Sequence, residues 1–186
     1  MIWFTGDQHW GHANIIGYTN RPFDDIKEMN RVLVENWNMC IQPGDTVYHL
    51  GDFCFPRDIN IEILLASLKG NIILIKGNHD KQKTTKYFKN VYQNLEMQIG
   101  PYKCILNHRP VYPKGTPDPY NDHAKDIDPD NYDFILSGHI HERRLFTGKS
   151  LNVGVDVHNF EPITIDEVIG LLDARKKELD EENIKK

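Results

Sequence analysis

NIILIKGNHD, residues 71–80, passes from an aliphatic run to a polar turn. A short apolar run that stops at a glycine is typical of a buried strand. The glycine permits a sharp turn, and an asparagine, a histidine and an aspartate follow it. The same order occurs earlier, where Ile2–Thr5 precedes Gly6-Asp7 and Thr46–Leu50 precedes Gly51-Asp52. The sequence therefore predicts three strands that each end in polar side chains.

Helical patterns separate these three strands. One helix is predicted from an N-cap at Asp24 or Asp25 to about Met39, with its apolar residues on one side. A second is predicted over Ile59–Leu68, ended by Gly70. The alternation of strand and helix indicates an α/β organisation with right-handed crossovers.

The second half of the chain has a different pattern, with predicted strands that no helix separates. These strands are Tyr92–Gln98, Tyr102–Leu106, Asp133–Leu136 and Ser150–Val155. Prolines and a glycine interrupt residues 110–131, which are predicted to form a long loop. Ile165–Leu172 is predicted to be helical, and the charged residues that follow either extend this helix or fray. We expect one domain over residues 1–172 and a charged C-terminal extension over residues 173–186.

Composition narrows the class of protein. Apolar residues make up 39% of the chain and charged residues 26%, as in soluble globular proteins. The net charge of -5 lacks the broad positive field of a DNA-coating protein, so a nucleic-acid partner is not favoured. Three scattered cysteines suit a reducing compartment, and no apolar stretch is long enough for a membrane span or a signal peptide. A cytoplasmic location is expected, and the oligomeric state stays open.

Seven candidate metal ligands follow five of the predicted strands. They are Asp7, His9, Asp52, Asn78, His108, His139 and His141. In α/β sheets, ligands bind in the crevice beyond the strand ends. Carboxylates and imidazoles without a thiolate suit Mn, Fe, Zn, Co or Ni. Seven candidates exceed the three or four protein ligands that one ion usually takes, so two ions that share a carboxylate are the simplest interpretation.

The ordered motifs Asp-x-His, Gly-Asp, Gly-Asn-His-Asp, His and Gly-His-x-His resemble the calcineurin-like metallophosphoesterase superfamily from Asp7 to His141. Residues 6–12 and Asn20–Phe23 resemble its compact bacterial and phage branch. The resemblance implies a four-layer αββα sandwich with two mixed sheets packed face to face. It also implies hydrolysis of phosphodiesters, phosphomonoesters or both by a hydroxide bound to two divalent ions. Manganese is the first choice of metal, with Fe, Zn, Ni and Co as alternatives.

The same resemblance implies a division of the ligands, with Asp52 shared between two ions. One ion would bind to Asp7, His9, Asp52 and His141, and the other to Asp52, Asn78, His108 and His139. His79 would act on the substrate. The Ser/Thr protein phosphatase branch has an aspartate and an arginine where this chain has Phe55 and Pro56. A protein phosphatase is therefore disfavoured, and the partner of His79 stays open, with Asp80 a candidate by adjacency alone.

Several other residues have two interpretations. His12 lines the site or lies at the surface, and Arg109 contacts the substrate phosphate or forms ordinary ion pairs. His49 is expected in the core. Three tyrosines are expected to pack, with stacking on a substrate as the alternative: Tyr112, Tyr120 and Tyr132.

The leading functional hypothesis is hydrolysis of a small phosphate ester or a nucleotide-like substrate. A nuclease that acts on nucleic-acid ends is the second hypothesis, and the acidic net charge counts against it. A catalytically silent binding scaffold is the third. Such a scaffold is expected to lack ligands or the catalytic histidine, and this chain lacks none of them.

Overall fold

The computed structural model describes residues 1–55, 57–113, 115–116, 124 and 126–184, without the side chain of Asn183. This part of the chain forms a mixed α/β fold. Its helices are α1 (Ala13–Tyr18), α2 (Ile26–Cys40), α3 (Ile61–Ser67), α4 (Gln82–Thr85) and α5 (Ile165–Ile184). Its strands are β1 (Ile2–Thr5), β2 (Thr46–His49), β3 (Asn71–Ile75), β4 (Asn90–Tyr92), β5 (Asn94–Ile99), β6 (Tyr102–Asn107), β7 (Phe134–Ser137), β8 (Phe146–Thr147), β9 (Ser150–Asn152) and β10 (Ile163–Thr164).

Sheet one has the strand order β10-β1-β2-β3-β4, in which β1 to β4 run parallel and β10 is antiparallel. Side chains alternate between its two faces because successive residues of a strand point in opposite directions. Val47 and Leu74 pack against Leu33 and Trp37 of α2 on the outer face. The Asp25 carboxylate caps α2 by accepting hydrogen bonds from two backbone N–H groups. The predicted strand–helix alternation of the first half is confirmed.

Sheet two has the strand order β5-β6-β7-β9-β8, with β6, β7 and β9 parallel and both edge pairs antiparallel. Its inner face packs on the inner face of sheet one in a core that includes Phe4, Ile75, Leu106 and Leu136. On its outer face, Ile105 and Ile135 contact loop residues: Val111, Ala124 and Ile127. The predicted fold with two mixed sheets is confirmed.

One predicted strand is in fact two. Tyr92–Gln98 reads as a single apolar-polar segment, but the chain passes from one sheet to the other at Gln93. Asn90–Tyr92 pairs in parallel with β3, whereas Asn94–Ile99 pairs antiparallel with β6. Local sequence contains no signal for this change because the partner strands lie elsewhere in the chain. The crossing brings the ends of the two sheets side by side.

The remaining differences lie in short elements and element ends. The short elements α1, α4, β8 and β10 were not predicted, since their lengths of two to six residues carry little periodicity. The last predicted strand stops early, at Asn152. Helix α5 continues to Ile184, and a domain boundary at residue 172 stays a prediction. None of the described helices combines the length and the apolar composition needed to cross a bilayer.

Candidate metal centre

The seven candidate ligands meet at the ends of five strands that belong to both sheets. Two groups of side chains offer ligand atoms that all lie within 4.8 Å of one another. The groups are Asp7 with His9 and His141, and Asp52 with His108 and His139. Asn78 joins the second group, because its Oδ1 lies 3.0 Å from Nε2 of His108. The structure thus places the candidate ligands in two neighbouring groups, and their division between two ions stays a prediction.

Asp52 lies between the two groups. Its Oδ2 is 3.4 Å from Nε2 of His108, 3.6 Å from Nε2 of His9 and 3.9 Å from Nε2 of His79. Its Oδ1 accepts a hydrogen bond of 2.8 Å from the backbone N–H of His79. Burial raises the pKa of this carboxyl, but the neighbouring His108 and His9 outweigh burial and hold the pKa below its ordinary value. A charged Asp52 can therefore be shared by both groups.

Buried polar atoms in the first group lack partners. Among the described residues, Oδ1 of Asp7 and both ring nitrogens of His9 form no hydrogen bond although they are buried. Such atoms are costly unless a partner satisfies them. Burial lowers the pKa of His9 well below its usual value, so its ring is neutral and has a free lone pair. Burial also lowers the pKa of His139, to about 3. These donors fit a divalent cation.

Five of the candidate ligands have a left-handed backbone. Their φ angles lie between 49° and 71°, a region that non-glycine residues rarely adopt. They are Asp7, His9, Asp52, His139 and His141. Each such residue costs of order 1–3 kcal/mol, and strain of this kind concentrates at functional sites. The turns bring the side chains together at the expense of local stability.

Gly51 is required by the close approach of two of these turns. Its φ is 92°, and a Cβ added there would lie 2.5 Å from the backbone nitrogen of Gly77 and 2.7 Å from Nδ1 of His108. No side chain fits at that distance. The glycine that sequence analysis places before Asp52 therefore lets the β2 and β3 turns and His108 pack around one point.

A family model for the calcineurin-like phosphoesterase superfamily domain matches residues 6–159, which include every candidate ligand. The chain belongs to the calcineurin-like phosphoesterase superfamily. The resemblance carried by the ordered motifs is thereby confirmed, and membership supports a phosphoesterase-type function. Membership in the superfamily does not identify the metal or the substrate.

Relatives of this phosphoesterase-family chain match it over nearly its full length. An uncharacterised protein of Methanocaldococcus jannaschii, MJ1445, is 34% identical over 184 residues, which cover 94% of this chain and 93% of that protein. The crystal structure of AQ665, a protein of unknown function from Aquifex aeolicus, has a TM-score of 0.76 at 29% identity and covers 92% of this chain and 98% of that one. An archaeal phosphodiesterase structure has a TM-score of 0.45 at 19% identity, with 82% and 81% covered.

Asp80 is not the partner of His79. Its buried carboxylate accepts hydrogen bonds from the backbone N–H groups of Asp52, Phe53 and Gly77 at 2.8 to 3.0 Å. Both oxygens are thus used to hold the β2 turn against the β3 turn. Adjacency in sequence suggested a contact with His79, but Asp80 is buried on these backbone groups whereas the His79 side chain is 47% exposed. In this phosphoesterase fold, Asp80 positions the backbone of Asp52.

A second buried network, which the sequence does not predict, supports His141. Nδ1 of His141 lies 2.8 Å from Oδ2 of Asp156, and the same carboxylate accepts two hydrogen bonds from the Arg21 guanidinium. Arg21 also donates to the backbone carbonyls of Asp7 and Gln8. This network orients the His141 ring so that its other nitrogen is free for the site. Arg21 lies within the Asn20–Phe23 motif, which was the available signal.

The Asp156 network predicts an acid-sensitive contribution to stability. Burial raises the pKa of Asp156, but the His141 hydrogen bond and the Arg21 charge lower it from 3.8 to about 2. Because the pKa of Asp156 is lower in the folded protein than in the unfolded chain, its charged form stabilises the fold. This stabilisation is fully present above the unfolded pKa, near 4, and is lost as the pH falls through the folded pKa, about 2. We compare the metal-free parent with metal-free Asp156→Asn. Between pH 6 and pH 3, the free energy of unfolding of the parent is expected to fall by about 1 kcal/mol more than that of the variant. Urea unfolding at both pH values measures this, and equal losses would contradict it.

The side chains beside the ligands form an aromatic wall. His12 stacks on Phe55 with ring centroids 3.9 Å apart and an interplanar angle of 14°. Both line a cleft of about 470 Å³ together with Tyr18 and His79. His12 thus lies beside the candidate ligands, and a contact with the substrate stays a prediction. Phe55 therefore gives the wall an apolar face where protein phosphatases have a carboxylate.

The other residues singled out from the sequence lie elsewhere. Arg109 lines a second cavity, beside Asn78 and His108. His49 is fully buried and packs against Phe53, as expected. Tyr112 is buried, and the Tyr132 hydroxyl donates to Glu96. Tyr120 and Pro56 lie outside the described residues.

Proposed function

We propose that this protein hydrolyses phosphate esters of small, nucleotide-like molecules, with two divalent metal ions as cofactors. Phosphodiesters, phosphomonoesters or both are the expected substrates. The observation that supports the proposal is the meeting of two groups of ligand atoms at one oxygen, Oδ2 of Asp52. Manganese suits the oxygen and imidazole donors, and Fe, Zn, Ni and Co are the alternatives.

The distances between the candidate ligands support the proposed assignment. Asp7, His9 and His141 would hold one ion, and Asn78, His108 and His139 the other, with Asp52 contacting both. When bound, such ions supply charge to the phosphoryl oxygens and an activated water. The chain supplies orientation: the Leu50 carbonyl lies 2.7 Å from Nδ1 of His108, which turns Nε2 of that ring towards Asp52.

His79 has the position expected of a general acid. Its side chain is 47% exposed and lines the cleft, while its backbone N–H is fixed by Asp52. A ring placed this way reaches a substrate oxygen without being a ligand. We assign it the transfer of a proton to the leaving-group oxygen, a role that contributes typically ~10²–10⁴-fold to rate. Phe55 and His12 form the wall on that side of the cleft.

A screen of substrates and metals tests this function. We expect purified protein to hydrolyse bis(p-nitrophenyl) phosphate, p-nitrophenyl phosphate or both in the presence of Mn²⁺, Ni²⁺, Co²⁺, Zn²⁺ or Mg²⁺. Activity should disappear with EDTA and return with the metal. Labelled single-stranded and duplex DNA and RNA form the second arm. Degradation of these from their ends, faster than the small esters, would favour the nuclease. No hydrolysis with any metal would contradict the proposal.

A further inference from the structure

Two cavities border the candidate metal centre from different sides. Two consecutive residues line different cavities. His79 lines the cleft with the aromatic wall, together with Phe55, and Asn78 lines the second cavity, together with His108. The second cavity has a volume of about 410 Å³. A substrate whose reacting phosphate lies at Asp52 can therefore extend in two directions.

The second cavity is positively charged in an acidic protein. Among the residues that the structure describes, the charged side chains in its lining are Lys76, Lys81, Arg109 and Asp126. The described part of this lining has more basic than acidic side chains, whereas the chain as a whole has a net charge of -5. Amide side chains add neutral hydrogen-bond donors: Gln93, Asn94 and Asn107. Such a lining is suited to an anion.

The two lysines are held at the backbone, and their ammonium groups form no ion pair with a described residue. Lys76 N–H donates to the Tyr92 carbonyl, and Lys81 N–H donates to the His79 carbonyl. Within the part of the chain that the structure describes, no carboxylate lies in ion-pair range of either ammonium group. Their charges are therefore available to a ligand, and their stems start from turns that also position Asn78 and His79.

We propose that this cavity binds a second phosphate group of the substrate, which makes the preferred substrate a nucleotide ester with two phosphates. The inference rests on the proposed function. The reacting phosphate lies at Asp52, the leaving group lies in the cleft beside His79, and the remaining nucleoside extends past Asn78. Its other phosphate accepts hydrogen bonds from Lys76 and Lys81. A phosphate with two negative charges is recognised by these ammonium groups more strongly than a neutral hydroxyl is.

A matched pair of substrates tests the second phosphate. Both are p-nitrophenyl esters of thymidine 5'-monophosphate, one with a free 3'-hydroxyl and one with a 3'-phosphate. They share the reacting bond and the leaving group. We expect kcat/KM to be about tenfold higher for the 3'-phosphorylated ester. A charge-assisted hydrogen bond typically strengthens binding by about tenfold or more. In the double variant Lys76→Gln/Lys81→Gln, the ratio of the two kcat/KM values should fall to near one.

A control variant separates the site from general charge. Lys27→Gln removes one positive charge from the exposed start of α2, outside both cavities, and should leave the ratio at the parent value. The preference of the parent should also fall as salt is raised, because salt screens exposed charges. A ratio that is the same in the parent and the double variant would overturn the inference.

The outcomes also distinguish this inference from the function on which it rests. If the parent cleaves both esters equally well, the phosphoesterase proposal stands and the second phosphate site is wrong. If it cleaves neither ester with any metal, both are wrong.

Calorimetry in EDTA measures binding without turnover. Thymidine 3',5'-bisphosphate should bind to the parent about tenfold more tightly than thymidine 5'-monophosphate does, and the double variant should bind the two nucleotides equally. Equal binding to the parent would contradict the site.

Discussion

Asp52→Asn is expected to lower the affinity for divalent ions by about 100-fold or more and to remove most hydrolytic activity. Replacing a group that merely supports a ligand typically costs 10–100-fold in affinity, and Asp52 is placed to contact both ions. The asparagine keeps the shape and an oxygen that can accept the His79 N–H. The loss is therefore expected in metal binding rather than in folding. Metal content after dialysis, measured by mass spectrometry, and thermal unfolding of the metal-free protein check both parts.

A matched control exists in the chain. Asp24→Asn makes the same chemical change at an exposed carboxylate outside both cavities and should leave metal content and activity at the parent values. If Asp52→Asn retained two tightly bound ions and full activity, the shared position of Asp52 would be wrong. If the variant failed to fold without metal, His139→Ala, which removes a single candidate ligand, is expected to lose metal with a smaller structural change.

His79→Ala is expected to retain its metal and to lose ~10²–10⁴-fold in kcat. The His79 ring belongs to neither group of candidate ligands, and its half-exposed side chain contributes little to the core packing. Removing it leaves the ligands in place and takes away the proton donor. Steady-state kinetics with the metal-loaded variant, with metal content measured on the same sample, test this prediction.

The leaving group distinguishes proton transfer from a structural role. A p-nitrophenolate leaves readily without a proton, whereas an alkoxide needs one, so the loss in His79→Ala should be larger for an alkyl ester than for the nitrophenyl ester. A variant whose site is merely distorted would lose activity equally with both. Equal losses, or loss of metal together with activity, would contradict the assigned role.

The meeting of the candidate ligands could be predicted from sequence because several of them follow a local rule. An apolar strand followed by glycine and a polar residue recurs at Asp7, Asp52 and Asn78, and parallel strands bring their carboxyl ends to one edge. The five left-handed residues then turn the side chains inward. Knowing the order of strands and turns was sufficient to expect convergence.

The supporting contacts could not be predicted because they join distant parts of the chain. Arg21 and Asp156 are 135 residues apart, and nothing near either residue indicates the other. Asp80 is a candidate partner of His79 by adjacency alone, because the turn geometry that directs it to the Asp52 backbone has no simple sequence signal. The stacking of His12 on Phe55 likewise depends on how α1 lies against the β2 turn. In each case the partner is determined by tertiary packing rather than by local pattern.

The central claim is that one carboxylate, Asp52, joins two groups of ligands into a site for two cations. Anomalous diffraction from a crystal grown with excess Mn²⁺ tests it most directly. The account predicts two manganese peaks, one beside Asp7, His9 and His141 and one beside Asn78, His108 and His139, both within coordination distance of Asp52. A crystal with no manganese among these side chains, or with ions bound only elsewhere on the protein, would contradict it.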